Sequence, residues 1–116
     1  MTALAQNFTV WQGEDKDIQI TVYEDTDELI SKDITDATIS WIVKKKVNSA
    51  ENAIIKSTTD GITITSASEG KFTIVLKALN TIDLSPGKYY HEAKMVLGNR
   101  TEIILVGEIT LMDSGF

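Results

Sequence analysis

The chain has 116 residues, the size of one domain with one core, and its 42% apolar and 24% charged residues exclude the composition of a disordered chain. Seventeen acidic against eleven basic residues leave a net charge of −6 at pH 7, the wrong sign for neutralising phosphates, so neither nucleic acid nor an anionic membrane is an expected partner. Cysteine is absent, which excludes disulfides and thiolate metal sites and leaves packing alone to hold the core.

From the N-terminus, Met1 to Asp15 contain no Lys or Arg and no run of seven apolar residues. No secretory signal is predicted, and no stretch nears the length of a membrane span. Residues 1–7 are expected to be a flexible lead-in to a single domain covering 1–116. Short alternating runs separated by turn residues then dominate, the pattern of half-buried strands in antiparallel sheets. Phe8 to Gln12 is the first predicted strand. Asp17 to Tyr23 is the second, with Ile18, Ile20 and Val22 on one face. Glu24 to Asp36 reads as a polar loop. Ala37 to Lys44 is the third strand and turns Ala37, Ile39, Trp41 and Val43 to one side.

After Lys44-Lys45-Lys46, the run Ala53 to Thr58 leads to Asp60-Gly61, a dipeptide suited to a tight hairpin. Ile62 to Thr65 and Lys71 to Leu76 follow, with Phe72, Ile74 and Leu76 facing in across a turn at Glu69-Gly70. Ala78 to Leu84 has the spacing of one or two helical turns, stopped by Ser85-Pro86-Gly87. The final predicted hairpin joins Lys88–Leu97 to Thr101–Met112, and Gly107 within it is expected to mark a bulge. About eight short strands at ten-residue intervals argue for an all-β sandwich or small barrel.

The sandwich is favoured by Ser85-Pro86-Gly87-Lys88-Tyr89-Tyr90-His91, which resembles the tyrosine corner of immunoglobulin-like domains. The resemblance implies that the Tyr89 ring covers the core while its hydroxyl bonds nearby backbone. It also implies that His91, where antibody domains carry a cysteine, faces Trp41. The expected core therefore includes Trp41, Tyr89, His91, Phe72 and Ile20 in an immunoglobulin-like, two-sheet antiparallel sandwich.

A second resemblance spans about Gln12 to Leu111. It is carried by Gln12-Gly13-Glu14-Asp15 and by the run Asp33 to Trp41, then by Asp60-Gly61-Ile62-Thr63-Ile64, Glu69-Gly70-Lys71-Phe72-Thr73 and Asp83 to Glu92. Together these are similar to the N-terminal domain of phage baseplate upper proteins and to small phage and prophage tail-associated proteins. The resemblance implies a structural role in a tail or baseplate, with other phage structural proteins or further copies of the chain as partners. It implies residence in the host cytoplasm during assembly and then in the virion. With nothing after the sandwich, a stand-alone relative is expected.

No catalytic, cofactor or metal site is predicted. His91, the single histidine, lies on the face assigned to the core and reads as a packed, hydrogen-bonded residue in preference to a catalytic one. Glu14, Asp15 and Asp17 could do acid–base work only in an apolar pocket that the sequence does not suggest. The loop Glu24-Asp25-Thr26-Asp27-Glu28 offers oxygen ligands but lacks the glycine and distal glutamate of a helical calcium loop, and reads as solvated. Lys44 to Lys46 reads as protection of a strand end. Ile103-Ile104-Leu105-Val106 exceeds what alternation with one wet face explains, so one pair, Ile104 and Val106 or Ile103 and Leu105, is expected at an interface. The expectation is a non-catalytic structural protein that works by assembly. A stand-alone immunoglobulin-like binding or adhesion module is the alternative, and an enzyme stands behind both.

Overall fold

The structure is a computed structural model that describes residues 3–24 and 30–115. In chain order the elements are β1 (Leu4–Ala5), β2 (Phe8–Trp11), β3 (Lys16–Thr21), β4 (Thr38–Lys44), β5 (Ile54–Ser57), β6 (Ile62–Ser66) and β7 (Lys71–Leu76). A helical turn α1 (Ala78–Thr81), β8 (Gly87–Leu97) and β9 (Arg100–Met112) complete the described elements. One sheet has the order β9-β8-β4-β5, with β1 and β2 both lying on the free side of β9; the other is β3-β7-β6. The fold is an all-β sandwich, in which β3-β7-β6 faces the sheet built on the β8–β9 hairpin.

Alternation accounts for the core. Ile39, Trp41 and Val43 of β4 point inward with Tyr89, His91, Ala93 and Met95 of β8, and meet Ile18 and Ile20 of β3 and Phe72, Ile74 and Leu76 of β7. Trp41, Phe72 and His91 are completely buried.

Three features depart from the sequence reading. First, β1 and β2 run parallel to β9, with Leu4 opposite Leu105 and Phe8 opposite Ile109 in one register. Alternation carries no information on strand direction, so an antiparallel sheet with a parallel margin reads the same. Of the expected flexible segment, Leu4 and Ala5 are a strand, and the Gln6 N–H donates to the Val106 carbonyl. Second, Asp60-Gly61 does not close a hairpin between paired strands. It carries the chain from β5, paired to β4, across to β6, paired to β7 in the opposite sheet.

Third, the apolar run of β9 contains a bulge. Ala93 is opposite Leu105 and Lys94 opposite Ile103, so Ile104 is an extra residue and both Ile104 and Leu105 turn inward. The bulge is here and not at Gly107. β9 is flanked on both sides, and the free margins are β1–β2, β5, β3 and β6. Among the described residues no helix is long and apolar enough to cross a membrane.

Candidate functional site

The interior polar cluster is built from β8. Tyr89 donates its hydroxyl to the Ser85 carbonyl at 2.6 Å, closing the corner, and burial pushes the phenol pKa up. Two residues on, on the same face, His91 receives the Trp41 indole N–H at Nδ1, 3.1 Å away. Indole nitrogen can only donate, so Nδ1 is the unprotonated nitrogen and Nε2–H donates to the Gln6 carbonyl at 2.7 Å. Burial lowers the His91 pKa, and the bond to Gln6 opposes this in part.

The strand opposite makes room for that bond. Gly107 faces His91 across the ladder, and a Cβ there would stand 1.8 Å from the Gln6 oxygen. In a regular parallel ladder the Gln6 carbonyl would accept from the Glu108 N–H. Asn7 Oδ1 takes that proton instead, at 3.0 Å, and frees the Gln6 carbonyl for the imidazole. His91 therefore pins the first strand to the core. With both nitrogens committed and no exposed surface, its imidazole has no nitrogen with which to meet a substrate.

The acidic residues near the first turn also hold structure together. Glu14 Oε1 accepts the Trp11 N–H at 2.8 Å, and Asp15 Oδ1 accepts the Ala78 N–H at the start of α1 at 2.7 Å. Gln12 Nε2 reaches the Ile82 and Leu84 carbonyls at 3.2 and 2.8 Å, and the Gly13 N–H donates to Thr81 Oγ1 at 2.9 Å. Gly13 has φ +78°, and a Cβ there would lie 3.0 Å from Ile82. Gln12 to Asp15 is thus a clamp on the segment from α1 to Leu84. The sequence shows the Gln12-Gly13-Glu14-Asp15 motif but not the segment that Gln12, Gly13 and Asp15 meet, 63 to 72 positions away.

The remaining sequence-predicted positions are dispersed. Asp17 is exposed on β3. Asp25, Asp27 and Glu28 lie outside the described residues; among the described ones no group of three His, Asp or Glu residues could hold a metal ion. Lys44 Nζ donates to the Ser49 carbonyl at 3.1 Å, and Lys45 Nζ lies 4.5 Å from the centre of the Tyr89 ring, so both brace their surroundings as well as carrying charge. Of Ile103 to Val106, the inward pair Ile104 and Leu105 cannot meet a partner. Ile103 is 39% exposed and Val106 half-buried, and both lie on the outer face.

Exposed apolar groups mark two areas. At the clamp end a groove of about 530 Å³ is lined by Trp11 and Ile82, each about half exposed, with Ser114 and Gly115. Across the outer face of the larger sheet, Ile55, Ile42, Glu92, Val106 and Ala5 form one cross-strand row. Beside it Tyr90 donates to Glu92 at 2.5 Å, and burial followed by this carboxylate pushes the Tyr90 pKa up to about 12. No protein-family model and no curated protein matches the chain.

Proposed function

We propose that this domain is a non-catalytic structural protein of a phage or prophage particle, associated with the tail or baseplate and acting by contact with other proteins. The observation that carries the assembly reading is where the polar chemistry goes. The imidazole of His91, the hydroxyl of Tyr89, the amide of Gln12 and the carboxylates of Glu14 and Asp15 are all engaged in holding the domain's own backbone or core. What faces outward includes large apolar side chains such as Trp11, Ile55 and Ile103.

The phage assignment rests on the resemblance of the motifs given above, several of which have a structural task here. Gln12-Gly13-Glu14-Asp15 forms the clamp, Ala37 to Trp41 enters the central strand, and Ser85 to His91 forms the corner and the pin. In this reading the protein is made in the host cytoplasm and ends in the virion. Particles purified from an induced culture of the source strain should contain the chain in fixed proportion to tail proteins by mass spectrometry. Its absence from tailed particles that are otherwise complete would refute the reading.

A further inference from the structure

The β1–β2 margin of the larger sheet differs in its chemistry from the margins at β5 and β3, and shares only with β6 the absence of charge and proline. From Ala3 to Gly13 the sequence ALAQNFTVWQG carries no charge and no proline, in a chain of net charge −6. Soluble proteins blunt such margins with lysine, proline or inward-pointing charge. β5 has that protection, since Lys56 is buried beneath it, and β3 carries Lys16 and Asp17. The register of β1–β2 decides which of its groups are used. Gln6 and Gln12 donate to β9, at the Val106 and Met112 carbonyls, so every second residue between them faces the sheet. Ala5, Thr9 and Trp11 direct N–H and C=O outward, and they are exposed together with Asn7, which lies between the two strands.

Glu14 closes this row at one end. Its carboxylate takes the Trp11 N–H and its own N–H donates to the Trp11 carbonyl at 3.2 Å. Ala5 and Thr9 remain open on either side of Asn7, two donors and two acceptors. Beside them runs a groove of about 260 Å³ walled by Leu4, Ala5 and Gln6 and, from the other sheet, by Gln19, Thr21 and Tyr23, none of them charged.

We propose that this margin pairs with the same margin of a second copy, antiparallel about a two-fold axis at Asn7. In that register Ala5 faces Thr9 of the copy and Asn7 faces Asn7, and the two Ala5–Thr9 pairs exchange both backbone hydrogen bonds, four in total. Leu4 then lies opposite Val10 and Gln6 opposite Phe8, so residues of one face stay on that face and the two larger sheets become one. A second copy is the fitting occupant because most of this acidic surface repels itself, whereas the uncharged margin and groove bring no like charges together. So short a ladder makes a weak, concentration-dependent dimer, of the kind an assembly completes with further contacts. The proposal rests on the assembly reading only in taking protein contact as the domain's work.

The chain has no cysteine, which makes a direct test available. Ala5→Cys/Thr9→Cys should form a disulfide-linked dimer on mild oxidation, because each new thiol meets the other type across the axis. Either single variant should form no disulfide-linked dimer, since like positions lie four residues apart along the strand, roughly 13 Å, too far for a disulfide. Thr9→Lys, with an unchanged tryptophan fluorescence spectrum as the control for folding, should raise the dimerisation midpoint in light scattering by at least about tenfold. Equal cross-linking by the single variants, none by the double variant, or a midpoint indifferent to Thr9→Lys would overturn the proposal. Failure here with the chain present in particles removes the margin alone. Absence from particles removes the assembly reading whatever the margin does.

Discussion

At the scale of single residues, the packing of β8 against β4 turns on one hydrogen-bonded line, Trp41 to His91 to Gln6, and each member has a separable consequence. Trp41→Ala removes a completely buried indole and leaves Nδ1 of His91 without its donor, so it should cost about 3–5 kcal/mol in urea melts. Tyr89→Phe removes one hydroxyl bond and little volume and should cost about 0.5–1.5 kcal/mol. Both mutants melting with the parent would mean the corner contributes nothing.

His91 adds a pH dependence. Its folded pKa lies below the ordinary value of about 6.5, so the unfolded chain takes up a proton first as pH falls. Stability is therefore full above about pH 6.5 and declines as pH drops through the folded pKa, with a slope of at most about 1.4 kcal/mol per pH unit. His91→Gln, which keeps a polar side chain but cannot titrate, should flatten that slope between about pH 7 and pH 5, above the range where carboxylates protonate. An identical slope in the variant would mean that other groups produce it. Alternation and the corner motif place Trp41, Tyr89 and His91 together from sequence. The bond to Gln6 is not legible there, because it depends on Asn7 taking over a ladder position and on the clearance at Gly107.

At the scale of elements, what could be read is the existence and inward face of most strands, and what could not is how they are joined. A period of two places Ile18, Ile20 and Val22 correctly on the inner face. It cannot show that β2 runs parallel to β9, that Asp60-Gly61 crosses between sheets, or that an extra residue at Ile104 turns two successive side chains inward. The run from Ile103 to Val106 looked too apolar for one strand because its bulge is silent in the pattern. The helical turn shows the same limit: its spacing is legible, yet Leu79 is 84% exposed and Thr81 is the buried residue, since Thr81 Oγ1 serves the clamp. That clamp yields a prediction. Asp15→Ala leaves the Ala78 N–H uncapped and should cost about 0.5–2 kcal/mol, with faster hydrogen exchange confined to residues 77–84. Gly13→Ala should cost about 1–2 kcal/mol from its left-handed backbone alone. Slowed or unchanged exchange at 77–84 in both variants would show that α1 is held by other contacts.

At the scale of the whole molecule, the question is how charge and packing divide the stability of an acidic domain without disulfides. The ion pairs Lys32–Glu24, Lys71–Glu69 and Lys88–Glu108 span 3.7–3.9 Å, each with at least one partner half or more in water, a geometry that contributes little against side-chain entropy. Arg100–Glu102 is shorter, 3.1 Å, but its guanidinium is mostly in water. Against these local attractions stands the mutual repulsion of a net charge of −6, which acts over longer distances and is the first thing salt removes, because the screening length is about 10 Å at 0.1 M. The apolar core, centred on Trp41 and Phe72, is strengthened or left alone by simple salts. The signs therefore agree. Raising NaCl from about 0.02 to 0.5 M should leave the urea midpoint unchanged or move it upward, by no more than about 1 kcal/mol in stability. A midpoint that falls with salt would mean that attraction between the surface charges outweighs their repulsion, and that the ion pairs hold more of this fold than their distances allow.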